Sequence, residues 1–106
     1  MMLNGESVPY LGAYGNAVTE EISEQQNIPI GVYITNVQSD SPAMDAGIQH
    51  GDIIQEIKGM TVTGTASYTK AIEKCTVGET IKVCGQRRGS NGYVEVTYNV
   101  TIGSKE

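Results

Sequence analysis

The stretch that decides the fold is residues 31–54, which read GVYITNVQSDSPAMDAGIQHGDII. Its first seven residues, 31–37, are mostly β-branched or aromatic and predict a strand. Ser41 and Pro42 are the residue types that begin a helix, as N-cap and first helical residue, and Gly47 is the type that ends one. A glycine-aspartate turn then leads into another apolar segment. The stretch therefore predicts a strand, a short helix and a second strand in close succession.

The elements on either side of this stretch follow from similar signals. Tyr68, Ala71, Ile72 and Cys75 recur at the spacing of one helix face and predict a helix over about 65–75. The other predicted elements are a strand within 10–15, a helix over 19–26, strands at 53–57 and 60–63, and a hairpin that pairs 80–84 with 93–102 across the turn 89–92. The last strand is expected to turn alternate residues to the core: Val94, Val96, Tyr98, Val100 and Ile102. This order predicts an α+β domain in which two main helices cap a partly closed, mostly antiparallel sheet of five to six strands.

The composition of the chain limits the classes of function. The chain has 106 residues, the size of one domain, with 39% apolar and 18% charged residues. Its net charge is −5. An acidic balance argues against nucleic-acid binding, which needs a basic surface to neutralise phosphates. No apolar run approaches the roughly 18 residues of a membrane span, so no membrane contact by this domain is expected.

Residues that could carry chemistry are few. His50 is the only histidine, and the two cysteines, Cys75 and Cys84, form no CxxC pair, so no metal site is predicted. The sequence also lacks a GxSxG nucleophile elbow and a glycine-rich phosphate loop. We therefore expect no cofactor, no catalytic residue and no enzyme activity by this chain alone.

Both ends of the chain have the composition of connecting segments. Residues 1–8 lack the basic and apolar regions of a signal peptide and are predicted to be a linker or a remnant of excision. Residues 103–106 are predicted to be a frayed tail. The domain itself is expected over 9–102.

The spaced residues within 31–54 resemble the PDZ domain, in the version carried by bacterial HtrA-type (Deg family) trypsin-like serine proteases. The lysine-glycine turn at 58–59, the longer helix and the final hairpin follow in the order of that family, so the resemblance covers 9–102. Upstream, the segment from Tyr10 to Ala13 resembles the family's carboxylate-binding loop. The resemblance implies a PDZ-like fold and a peptide-binding function, in which a C-terminal or extended segment adds as a strand to a sheet edge beside a helix.

The resemblance also implies which residues form the binding site. The carboxylate-binding loop is Tyr10, Leu11, Gly12 and Ala13; the peptide-binding strand is Ala13, Tyr14 and Gly15; the pocket and helix wall are Leu11, Ala13, Thr65, Thr69 and Ile72. Gly12 permits the dihedral angles with which successive N–H groups converge on an anion. Ala13 is smaller than the family's usual Ile or Val and Gly15 has no side chain, so we expect a roomy pocket that accepts a large apolar terminal residue. Thr65 stands where other PDZ domains carry His, which weakens any preference for Ser or Thr two residues upstream.

For the parent protein, the resemblance implies an attached protease domain whose Ser-His-Asp triad lies outside this chain. It also implies a location outside the cytoplasm, at the cell surface or anchored to a membrane. The partners are then C-terminal or unfolded peptide segments and the protease domain itself, for substrate recognition or regulation. Two alternatives stay open. The groove docks on the protease domain or on another protomer without a free peptide, or the domain belongs to a tail-specific or membrane-embedded protease.

Overall fold

The computed structural model describes residues 8–105, so the predicted linker, apart from Val8, lies outside the described residues. The helices and strands are, in chain order, β1 Val8–Tyr10, β2 Ala13–Val18, α1 Glu20–Gln26, β3 Gly31–Val37, α2 Pro42–Ala46, β4 Ile53–Ile57, β5 Met60–Thr61, α3 Thr65–Glu73, β6 Thr80–Gly89, β7 Gly92–Thr101 and β8 Gly103–Lys105. The predicted α+β class with a mostly antiparallel sheet is confirmed.

Polar caps set the beginnings of the first two helices. The Thr19 hydroxyl accepts a hydrogen bond from the N–H of Ile22 at 3.3 Å at the start of α1. The Ser41 hydroxyl accepts one from the N–H of Met44 at 3.1 Å at the start of α2, and Gly47 ends that helix with φ of +97°. These are the roles that the residue types predict, because a short polar side chain satisfies a free N–H and glycine adopts a left-handed backbone.

The main sheet has the strand order β2-β3-β4-β6-β7, with β5 paired to β4. Strand β2 is therefore an edge strand, and its outer side has no strand partner within residues 8–105. Its pairing with β3 is interrupted by a shift of register between Tyr14 and Gly15. A Cβ atom on Gly15 would stand 1.9 Å from the carbonyl oxygen of Tyr33, so only glycine permits this close approach of the two strands.

A second, two-stranded sheet joins the two ends of the described chain. Strand β1 pairs antiparallel with β8, and Pro9 lies opposite Ser104. The predicted tail thus contributes a strand over 103–105. The strand predicted within 10–15 is likewise divided, because the backbone turns after β1 and resumes as β2. Neither feature has a local sequence signal, since each depends on a partner far away along the chain.

The hydrophobic core lies between the main sheet, α2 and α3. Its largest fully buried apolar side chains are Leu11, Val32, Ile34, Ile54, Ile57, Val62, Val83, Val100 and Ile102. Val94, which is expected to face the core with Val100 and Ile102, is instead 54% exposed. The burial pattern of β7 explains this error, because only the second half of the strand is covered and the hairpin end extends past the core.

A buried ionic cluster ties the end of α2 to the sheet. The Asp52 carboxylate, 1% exposed, accepts hydrogen bonds from Arg87 at 2.9 and 3.1 Å, from the Tyr98 hydroxyl at 2.5 Å and from the N–H of Gln49 at 3.0 Å. Arg87 Nη2 also donates to the carbonyl of Gly47 at 3.1 Å. Burial raises the pKa of Asp52, but the hydrogen bonds from Arg87, Tyr98 and Gln49 outweigh it and leave the pKa below its usual value. The cluster fixes the turn that leads from α2 into β4.

Candidate functional site

A cleft of about 370 Å³ opens between the edge strand β2 and helix α3, and β1 contributes to its wall. Its lining includes every residue for which the sequence predicts a role in peptide binding: Tyr10, Leu11, Gly12, Ala13, Tyr14, Gly15, Thr65, Thr69 and Ile72. The sequence reasoning missed four other lining residues: Val8, Pro9, Tyr68 and Glu73. The fold thus brings the predicted residues together in one cleft, and their individual roles stay predictions.

Two backbone N–H groups before and at the start of β2 point away from the packed side of the strand. The carbonyl of Leu11 accepts a hydrogen bond from the N–H of Ala43 at 2.9 Å, and the carbonyl of Gly12 accepts one from the N–H of Gln38 at 2.8 Å. In a trans peptide unit the N–H points opposite to the C=O, so the N–H groups of Gly12 and Ala13 point away from α2 and β3. Two successive donors therefore lie at the cleft, an arrangement that can bind an anion.

Gly12 gives the loop between β1 and β2 its shape. Its φ is +91°, in the left-handed region that favours glycine. A Cβ atom on Gly12 would stand 2.2 Å from the Cβ of Ser41 and 2.7 Å from its hydroxyl oxygen. Ser41 is the N-cap of α2. The residue that begins α2 therefore also packs against this loop, on the side away from the cleft.

Ala13 presents both of its backbone groups to the cleft. Ala13 lies opposite Val37 on β3. The N–H of Gln38 donates to the carbonyl of Gly12, so the interstrand hydrogen bond joins the neighbours of Ala13 and Val37. In an antiparallel sheet this pattern means that Ala13 and Val37 do not hydrogen-bond to each other. The N–H and C=O of Ala13 consequently point outward, where an added strand would pair with them. The hydroxyl of Tyr68 on α3 already donates to the Ala13 carbonyl at 2.5 Å.

The walls of the cleft are apolar at the base and polar along the helix rim. Leu11 and Ala13 are buried, and Ile72 on α3 is half-buried. Thr65 and Thr69 are exposed on the same helix. This distribution suits an apolar side chain at the base together with a hydrated peptide backbone above it.

No basic side chain is among the described residues that line the cleft and could meet an anion. Glu73 is the one charged residue among the described residues that line it. A bound carboxylate would therefore depend on backbone N–H groups rather than on an ion pair. Burial raises the pKa of Tyr68, so its hydroxyl stays protonated and serves as a donor within the cleft.

The histidine and the two cysteines of the sequence, His50, Cys75 and Cys84, lie outside the lining of this cleft. His50 is exposed and packs edge-to-face against Tyr33, with ring centroids 5.9 Å apart. Cys75 is buried and its Sγ lies 3.3 Å from the Ala71 carbonyl; burial raises the pKa of this thiol, which is the opposite of what a nucleophile needs. Within residues 8–105, no three His, Cys, Asp or Glu side chains group as metal ligands, and no helix is both long and apolar enough to cross a bilayer.

The PDZ domain family matches residues 9–98, and the chain belongs to this family. More particularly, its relatives are serine proteases of the HtrA/DegP type. The chain is 30% identical over 98 residues to a probable periplasmic serine endoprotease (DegP-like) of Hahella chejuensis, and the match covers 90% of this chain and 21% of the relative. The chain spans between 12% and 22% of the length of the curated relatives that it matches.

Solved structures of HtrA-type proteins share the fold. The HtrA-type protease AlgW with a decapeptide superposes with a TM-score of 0.79 and 22% identity, covering 94% of this chain and 30% of that chain. The HtrA3 PDZ domain bound to the phage-derived ligand FGRWV superposes with a TM-score of 0.72 and 20% identity, covering 92% of this chain and 86% of that chain. Both structures extend the family relationship from sequence to fold.

Proposed function

We propose that the cleft between β2 and α3 binds the C-terminal segment of a protein as an added strand, with the terminal carboxylate at the N–H groups of Gly12 and Ala13. The observation that carries this proposal is the outward direction of these two N–H groups beside the open edge of β2. Such an edge holds a peptide backbone of any sequence, while the apolar base of the cleft selects the last side chain. Two structural neighbours are described with bound peptides, which supports the same use of the fold.

Each predicted site residue has a role in this proposal. Tyr10, Leu11, Gly12 and Ala13 form the carboxylate loop; Ala13, Tyr14 and Gly15 form the pairing strand; Leu11, Ala13, Thr65, Thr69 and Ile72 form the pocket and helix wall. The support for these roles is their common position around one cleft. A negatively charged end group at paired backbone donors also makes stronger hydrogen bonds than a neutral group.

We infer further that the domain serves an attached HtrA-type serine protease, by recognising its substrates or by regulating it. The support is the similarity to serine proteases, of which this chain matches about a fifth. A location outside the cytoplasm belongs to the same proposal, because the Hahella chejuensis relative is described as periplasmic. Membrane anchoring of the parent stays an expectation from the family resemblance.

A pair of fluorescent peptides tests the proposal. Both carry the same apolar C-terminal residue, and one ends in a free carboxylate while the other ends in an amide. We expect the amide to bind about ten-fold more weakly in a fluorescence anisotropy titration, because hydrogen bonds to a charged acceptor are the stronger ones. Equal affinity of the two peptides would refute carboxylate binding. A peptide library without any ligand would favour the alternative in which the groove docks on the protease domain or on another protomer.

A further inference from the structure

The geometry of β2 defines which ligand group would face the Ala13 carbonyl. Ala13 points both its N–H and its C=O into the cleft, so a residue paired opposite it exchanges two hydrogen bonds with it. If the ligand carboxylate lies at the N–H groups of Gly12 and Ala13, that paired residue is the last residue of the ligand. Its own amide N–H then points at the Ala13 carbonyl.

That carbonyl already has a donor in the described structure. The hydroxyl of Tyr68 donates to it at 2.5 Å, from a side chain that is only 5% exposed. The Ala13 carbonyl points outward from the edge of β2, so the hydroxyl that donates to it lies on the open side of the strand, where a ligand strand would pair. Tyr68 also lines the cleft. A buried tyrosine hydroxyl needs a hydrogen-bond partner, and displacement by the ligand would leave it without this one.

We propose that Tyr68 is an internal competitor for the Ala13 carbonyl, so that the last amide N–H of a peptide ligand adds little to its affinity. This inference rests on the proposed function. The ligand exchanges one hydrogen bond for another at this position instead of gaining one. Selection then falls on the carboxylate and the terminal side chain, and the protein accepts ligands whose last residue offers no backbone N–H.

A double-mutant cycle between protein and ligand tests this competition. The protein variant is Tyr68→Phe, which removes only the hydroxyl, and the ligand variant is an ester in which oxygen replaces the last amide N–H. We expect Tyr68→Phe to bind the amide-linked peptide about five-fold more tightly than the unmodified protein does. We also expect the ester to weaken binding to Tyr68→Phe about five-fold more than it weakens binding to the unmodified protein.

The cycle separates competition from sharing of the carbonyl. A carbonyl oxygen has two lone pairs, and if Tyr68 and the ligand shared it, the ester would weaken binding equally in both proteins. That result, or weaker binding of the amide-linked peptide by Tyr68→Phe, would overturn the inference. Failure of the proposed function would look different, because neither protein would then distinguish a free carboxylate from an amidated end.

Two further variants keep the test interpretable. Tyr98→Phe also removes a buried tyrosine hydroxyl, but that hydroxyl binds Asp52, away from the cleft lining. We expect this control to leave the effect of the ester unchanged. If Tyr68→Phe does not give a cooperative thermal transition, Tyr68→Leu replaces it in the cycle, since it removes the hydroxyl and keeps an apolar side chain.

Discussion

Gly12 and Ser41 lie in such close contact that no side chain fits between them: a Cβ atom on Gly12 would stand 2.2 Å from the Cβ of Ser41. The left-handed φ of +91° at Gly12 adds a second reason why this position requires glycine. The loop between β1 and β2, which is the proposed carboxylate loop, is therefore shaped by the N-cap residue of α2, and neither that residue nor α2 lines the cleft.

We predict that Gly12→Ala weakens binding of a free C-terminal peptide by more than about ten-fold and lowers the free energy of unfolding by about 1–3 kcal/mol. The loop has to move away from Ser41, and its N–H groups then lose their common direction. Gly78→Ala is the matched control, because Gly78 has φ of +90° but nothing lies within 4 Å of its Cβ position. Anisotropy titration and urea unfolding measure the two effects, and an equal loss of affinity in both variants would contradict the role of Gly12.

The Asp52 cluster predicts a pH dependence of stability. The folded pKa of Asp52 lies below its ordinary value of 3.8, so the stabilisation is complete above that pH and is lost as the pH falls through the folded pKa. We predict that Asp52→Asn lowers the free energy of unfolding by about 2 kcal/mol at pH 7, since the Arg87 side chain is 37% exposed and stays partly hydrated. The difference from the unmodified protein should narrow below about pH 4.

Urea unfolding at several pH values measures this difference. Asp45→Asn is the control, because Asp45 is an exposed carboxylate on α2 without a place in the cluster. We expect it to change the unfolding free energy at pH 7 by about 0.5 kcal/mol or less. A difference between Asp52→Asn and the unmodified protein that persists unchanged at pH 2 would show that the carboxylate charge does not stabilise the fold.

The small side chain of Ala13 predicts the size of the preferred terminal residue. We expect peptides that end in a large apolar residue to bind about ten-fold more tightly than the same peptides ending in Ala, because burial of the larger side chain is more favourable. Ala13→Val should reverse part of this preference by filling the base of the cleft. Ala17→Val on the same strand lies outside the cleft lining and is the control. A peptide series measured by anisotropy against the three proteins decides the matter, and an unchanged order of affinities in Ala13→Val would place the terminal side chain elsewhere.

Much of the fold could be predicted because its signals are local. Ser41 and Gly47 are recognisable helix ends from their residue types, and the stripe from Tyr68 to Cys75 indicates a buried helix face. The residues that line the cleft could be located because the order of elements follows the PDZ family, while their roles in binding stay predictions. The stripe correctly predicts that Tyr68 is buried, but periodicity does not reveal which carbonyl its hydroxyl meets.

The remaining errors concern features that depend on distant parts of the chain. Val94 alternates with Val100 like a core residue, yet no layer covers the hairpin end where it lies. The strand at 103–105 forms only by pairing with β1. A segment of three residues is too short for its alternation of apolar and polar residues to predict such a pairing. Alternation along a strand predicts which residues share a face but does not predict how far the opposing layer reaches.

The pairing of β1 with β8 makes the cleft dependent on residues that never touch it. Val8 and Pro9 form part of its wall. Both lie in β1, which pairs as a strand with Ser104 and its neighbours in β8. A version shortened to residue 102 would keep every lining side chain and still lose the support behind one wall. Domain boundaries taken from the sequence match alone would therefore exclude a strand that supports one wall of the cleft.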